Sequence, residues 1–215
     1  MSWAYWWAYF GAAWAIALSP GSGAVLSISY GSTYGVRGAS AGVWGLQAGL
    51  LFILLVAGLG VGSLLMASET AFTVVKVLGA LYLVYLGVQQ WRSTRGMLDN
   101  AAAVNAVSLS AKQRFMAGLL TNVTNPKGIV FMVAVLPQFI EPTRPLGLQL
   151  LVLSVTTIAV DVVVMHGYAL FGRTLRGLLR SPRAVRWQNH VFGAVFIALG
   201  ALLLLVQRAQ PVAAN

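Results

Sequence analysis

Long apolar runs alternate with short polar breaks along this chain. The runs occupy roughly 5–30, 42–66, 71–91, 114–139, 146–171 and 188–207. Each is long enough to cross a hydrocarbon core about 30 Å thick, which takes roughly 20 residues of helix. Some breaks separate runs. Ala67-Ser68-Glu69-Thr70 is a tight polar turn, and 93–113 reads as a flexible connecting loop on the basic side. Glu141-Pro142-Thr143-Arg144-Pro145 is a proline-punctuated turn, and five arginines between 173 and 186 fill the fifth connection. Two other breaks fall inside runs: Ser19-Pro20-Gly21-Ser22-Gly23 interrupts the first, and Asn125-Pro126-Lys127-Gly128 interrupts the fourth. The pattern predicts an all-α integral membrane protein of six transmembrane helices, forming one domain over 1–215.

Composition narrows the class. Charged residues make up 8% of the 215 positions, against about a quarter in soluble domains. That is too few to cover a water-facing surface, which excludes an ordinary cytosolic enzyme and a disordered tail. The net charge of +10 suggests nucleic acid until the positions are read. With six spans, loops one, three and five share a side. They hold Arg37, then Arg92, Arg95, Lys112 and Arg114, then Arg173, Arg176, Arg180, Arg183 and Arg186. The other side has Arg144 and Arg208, with Lys76 one turn inside its end of the third span and expected to snorkel outward. This bias puts the basic side in the cytoplasm and both termini in the periplasm, so nucleic acid is not an expected partner. Trp3, Tyr5, Trp6, Trp7 and Tyr9 read as an interfacial aromatic belt, so the first span is expected to be retained. Without cysteine there are no disulfides and no thiolate chemistry.

The two halves resemble each other. Pro20 and Pro126 stand 106 positions apart, and Gly79-Ala80 precedes Gly193-Ala194 by 114. A three-span unit repeated in tandem is inverted in the membrane, because three is odd. This predicts repeat one over about 3–92 and repeat two over about 114–208. Inverted repeats with a broken span in each are the sequence pointer to a secondary transporter.

The breaks also carry the candidate chemistry. A proline removes a helical hydrogen bond, and freed backbone groups in hydrocarbon cost several kcal/mol each unless protein or water satisfies them. A mid-span break is therefore tolerated mainly beside a cavity. A new half-helix starts after each break, with amides that attract an anion. Gly21 and Gly23 allow close backbone approach, Ser22 adds a hydroxyl, and Ser19 and Asn125 are candidate caps. Lys127 and Asp161 fall near mid-membrane, where ionisable groups are costly and usually functional. They are expected either to pair or to hold opposite ends of a ligand. Ser154, Thr157, Asp161 and Tyr168 lie within an arc of about 80° on the fifth span, one polar stripe facing the interior. Thr121, Asn122, Thr124 and Asn125 surround the second break. Gly38, Gly42, Gly45 and Gly49 form a stripe suited to helix packing. Gln47 lies on the opposite face from that stripe, and its role is left open. His166 and His190 read as structural, since neither has metal-ligand spacing.

No catalytic constellation, metal cluster or phosphate loop emerges, so neither an enzyme nor ATP-driven transport is expected. A gradient must then supply the energy, and protons titrating Asp161 are the simplest candidate.

Leu18-Ser19-Pro20-Gly21-Ser22-Gly23-Ala24, Gly35-Val36-Arg37-Gly38, Lys76-Val77-Leu78-Gly79-Ala80-Leu81-Tyr82-Leu83, Leu86-Gly87 and Asn122-Val123-Thr124-Asn125-Pro126-Lys127 together resemble the LysE/RhtB family of amino-acid exporters. Val155 through Asp161 and Gly167-Tyr168-Ala169 look most like its homoserine-exporting branch. The resemblance runs from about residue 3 to 207. Many members carry Pro-Gly-Pro at the first break, where this chain has Pro20-Gly21-Ser22. The resemblance implies proton-driven export of a small neutral amino acid (homoserine, homoserine lactone or threonine) across a bacterial inner membrane, with no cofactor and room for a homodimer. On that reading Ser19, Pro20, Gly21, Ser22, Gly23, Asn122, Asn125, Pro126, Lys127, Thr157 and Asp161 line the transport path. The half-helix N-termini and Lys127 would take the carboxylate, and Asp161 with break carbonyls would take the ammonium. Ser22, Asn122 and Asn125 would read a side-chain hydroxyl. A passive channel or facilitator, or an exporter of another small solute, is the alternative.

Overall fold

The structure is a computed structural model and describes residues 1, 3–19, 21–67, 69–93, 109–141, 144–172, 174 and 181–205. Every regular element among them is helical. They are α1 (Trp3–Leu18), α2 (Ser22–Ala67), α3 (Glu69–Arg92), α4 (Ala111–Val123), α5 (Pro126–Val135) continued by a 3-10 turn (Leu136–Phe139), α6 (Leu146–Leu170) and α7 (Pro182–Leu205).

Helix α2 has 46 residues. Drawn straight at 1.5 Å per residue it would run to roughly 69 Å, more than twice a bilayer core. It is not straight. Gly35 sits at φ 70, ψ 174 inside it and joins two helical arms across a kink. Only glycine takes that conformation without strain. The expected apolar runs 5–30 and 42–66 are therefore redistributed. Residues 31–41, expected to connect them, are helical on both sides of Gly35.

The loop expected over 93–113 is also shorter than its composition suggests. Ser110 caps α4: its side chain accepts from Gln113 N–H, and the Gln113 side chain accepts from Ser110 N–H. This reciprocal cap overrides the polar character of Lys112 and Arg114 and starts the helix at Ala111. Residues 94–108 lie outside the described set, as do most of the arginine-rich 173–180 and residues 206–208 of the expected second repeat.

Among the described residues four helices are long and apolar enough to cross a membrane: Ser22–Gly60, Thr73–Arg92, Leu146–Leu170 and Pro182–Leu205. Ala111–Val123 with Pro126–Phe139 makes a fifth, bent by 52°. Large apolar side chains such as Phe52, Leu78, Leu151 and Leu202 point outward, as lipid-facing residues do.

Glycine decides which helices touch. A Cβ at Gly45 would overlap the Phe115 carbonyl, and one at Gly118 would overlap the Gly42 carbonyl, so α2 and α4 meet backbone to backbone. Of the expected glycine stripe, Gly45 and Gly49 face α4 and Gly42 faces Tyr30. Gly38 faces Tyr34 of its own helix. Helices α3 and α7 meet the same way. A Cβ on Gly87 would stand 2.7 Å from the Gly193 oxygen, and one on Gly193 would stand 2.8 Å from the Gly87 oxygen.

Polar ties gather the basic connections at one end. Leu109 N–H donates to Tyr34 Oη, and the Arg114 guanidinium lies 4.4 Å over the Tyr34 ring. Asn189 donates to the Ser93 carbonyl. At the opposite end Glu141 pairs with Arg144 and with the amino terminus. The buried core runs between the ends, from Tyr9 through Leu54, Leu83 and Phe131 to Phe196.

Candidate functional site: a charged cavity between two helix breaks

At the first break α1 ends at Leu18 and α2 begins at Ser22. The last carbonyls of a helix lack partners within it, and here side chains from elsewhere supply them. Tyr168 Oη donates to Leu18 O, and Lys127 Nζ donates to Ser19 O at 3.0 Å. The lysine ammonium thus sits at the negative end of the α1 dipole. Nζ also donates to Ser19 Oγ at 2.9 Å and lies 5.1 Å from the Phe196 ring centre.

At the second break Asn125 is the N-cap of α5, its side chain accepting from Lys127 N–H at 3.1 Å. Pro126 follows at N1, where its missing N–H costs nothing. Thr124 Oγ1 donates back to Leu120 O and helps close α4. Asn122 leaves the break and donates to Leu46 O on α2 at 2.8 Å.

Both breaks open onto one cavity of about 70 Å³. Helix α6 forms its far wall. Thr157 and Asp161 line it. Thr157 shares a hydrogen bond with the fully buried Tyr9 hydroxyl. Asp161 Oδ2 accepts from Gln47 Nε2 at 2.7 Å. Among the described residues a direct Lys127–Asp161 ion pair is absent. The cavity therefore carries a cation on one wall and a carboxylate on another, each held by a neutral neighbour. Such a pair of walls complements the two ends of a small zwitterion.

The sequence-derived residues sort clearly. Ser19, Gly21, Gly23, Asn122, Asn125, Lys127, Thr157 and Asp161 line the cavity. Ser22 and Pro126 do not. Both side chains are exposed, because each sits in the first turn of its helix facing away from the cavity. Pro20 lies outside the described residues. Ser19 is not the cap of α2; its oxygens serve Lys127 instead. Ser154 is buried on the α6 stripe, with its hydroxyl unpartnered. His166 bonds Ser40 and the Val162 carbonyl, and the His190 ring lies tilted against Trp91, both structural placements.

Sequence reasoning left Gln47 without a role. It is 3% exposed and is the direct partner of Asp161, while its Oε1 is buried with no hydrogen-bond partner. An amide in an apolar span was itself a signal.

The sequence signature of LysE type translocators matches residues 14–207, a span that contains both breaks and every cavity residue but Ala13. The chain belongs to that family. A LysE type translocator is a membrane transporter and not an enzyme. The chain is 42% identical to an uncharacterized membrane protein of Vibrio cholerae, over 92% of this chain and 95% of that one. It is 40% identical to the homoserine/homoserine lactone efflux protein of Salmonella typhi, over 97% of this chain and 100% of that one. The leucine efflux protein of Salmonella choleraesuis is 28% identical, over 94% of this chain and 95% of that one. No solved structure matches this LysE type translocator.

Proposed function

We propose that this translocator exports small neutral amino acids (homoserine, homoserine lactone and threonine) across a bacterial inner membrane, driven by the proton-motive force. The observation that carries the reading is the cavity with Lys127 on one wall and Asp161 on another. Lys127 takes the substrate carboxylate, Asp161 takes the ammonium, and Ser19, Asn122, Asn125 and Thr157 offer hydrogen bonds to a side-chain hydroxyl. Asp161 also carries the coupled proton, since its partner is the neutral Gln47 amide and not a locked ion pair. The 40% identity to a homoserine/homoserine lactone efflux protein supports the substrate class.

The transport cycle is alternating access by two inverted three-span halves. Six spans follow if α1 with the first arm of α2 counts as one broken span and the arm after Gly35 as the next. The basic connections then face the cytoplasm and both termini the periplasm.

One observation favours a second substrate. Ile16, Leu46, Leu50, Phe131, Met132 and Met165 make the rest of the cavity apolar, which suits a branched side chain such as leucine, and a leucine efflux protein is among the relatives.

The test is uptake into proteoliposomes of labelled homoserine and threonine, with leucine, lysine and homoserine lactone as competitors, with and without an imposed pH gradient. Gradient-dependent accumulation of homoserine or threonine is expected. Uptake indifferent to the gradient would make the protein a passive facilitator, and competition by leucine alone would establish the second substrate.

A further inference from the structure

Gln47 and Asp161 are 114 positions apart, the same offset that relates Gly79-Ala80 to Gly193-Ala194. They are therefore counterparts in the two halves, and they touch each other at 2.7 Å. At the breaks the offset is 106, which makes Gly21 the counterpart of Lys127. Those two also lie close together: a Cβ on Gly21 would stand 3.3 Å from Lys127 Nζ. Under a two-fold rotation a residue meets its own counterpart only on the axis. Helices α3 and α7 obey the same operation. Ala80 meets Gly200 and Gly87 meets Gly193, so the crossing is centred near Leu83 and Ile197, again 114 apart.

An axis that exchanges the two halves of an inverted repeat lies in the membrane plane and exchanges the two membrane faces. A group on it sits at mid-depth, equally placed toward either side. The Gln47–Asp161 hydrogen bond lies there, and so does the close approach of Lys127 to Gly21; in each the second half holds the charge while the first holds a neutral residue. The Gln47 amide faces the carboxylate through Nε2, and its Oε1 is buried with it.

We propose that Gln47 is a latent acid position: the site requires one carboxylate at the Gln47–Asp161 contact, and either half can supply it. In the native chain Gln47 is the positioning residue that holds Asp161. This rests on the role given to Asp161 under the proposed function.

The test exchanges amide and carboxylate without changing side-chain length, comparing Asp161→Asn, Gln47→Glu and the double variant in the homoserine proteoliposome assay. Removing one charged partner of a buried hydrogen-bonded contact is expected to lower transport by about 100-fold in Asp161→Asn. Gln47→Glu alone is expected to be impaired, because two carboxylates then face each other. The double variant is expected to return to within about tenfold of the parent, a non-additivity that only coupled positions give. A double variant as inactive as Asp161→Asn, in protein that remains monodisperse with parental thermal stability, overturns the proposal alone. Full transport by Asp161→Asn overturns the reading of Asp161 beneath it. Should the double variant fail to fold, the exchange Gly21→Lys with Lys127→Gly puts the same question to the other contact on the axis. Recovery relative to Lys127→Gly supports the equivalence, and its absence in folded protein refutes it.

Discussion

Homoserine and its lactone differ in the carboxylate and the side-chain hydroxyl, which the lactone joins in a ring ester. Both carry an ammonium, but only homoserine has a free carboxylate. If Lys127 takes that carboxylate, Lys127→Met must separate the two substrates. Lys127 Nζ now donates to Ser19 O and Oγ at 3.0 and 2.9 Å. A bound carboxylate replaces one of these neutral acceptors with an ionised one, and a hydrogen bond to a charged group contributes about 1.5–3 kcal/mol. At about 1.4 kcal/mol per tenfold, the variant loses about 10- to 150-fold in apparent affinity for homoserine. The lactone makes no such contact and should keep its affinity to within about threefold, a difference near 0.6 kcal/mol. The assay is competition by each compound against labelled substrate in proteoliposomes containing parent or variant. Methionine keeps the unbranched apolar stem, so its packing against Phe196 is largely retained. Equal losses for the two compounds, in protein of unchanged thermal stability, would refute the assignment of the carboxylate to Lys127.

Two further perturbations test the scaffold. Gly45→Ala forces a methyl against the Phe115 carbonyl, so α2 and α4 must part; a loss of about 1–3 kcal/mol is expected, read as lower thermal stability in detergent, and an unchanged melting curve would contradict the backbone-to-backbone contact. Asn125→Ala removes the cap of α5 and frees the Lys127 N–H; a loss of about 1 kcal/mol is expected, while Asn125→Asp, which keeps the acceptor, should retain parental stability.

The breaks were the most legible feature of the sequence. Proline flanked by glycine or asparagine in an apolar run has few uses, and both breaks face the one cavity. The α6 stripe was legible because helical periodicity fixes which residues share a face: Thr157 and Asp161 find interior partners, and Tyr168 meets the end of α1 at the surface. Periodicity does not fix the phase of a helix that starts afresh after a break, which is why Ser22 and Pro126 turned outward. Nor does it reveal partners far along the chain. Gln47 finds Asp161 and Ser19 finds Lys127 across more than 100 positions, and neither contact follows from local pattern. The extent of α2 was misread because Gly35 bends a helix where the composition suggested a connection. The start of α4 was written in Ser110-x-x-Gln113 and was obscured by the charges around it.

The glycine contacts have a mechanical consequence. Where side chains interlock, one helix can move along another only by lifting its ridges out of the opposing grooves. At Gly45 against Phe115, and at Gly87 against Gly193, there is nothing to lift. These junctions resist separation, because the backbones already touch, yet they offer little friction to rotation about the line of contact. Between α2 and α4 the register is set instead by Asn122 donating to Leu46 O. Bulk added at either junction would part the helices, and at Gly45 it would shift the cavity walls that Leu46 and Asn122 supply.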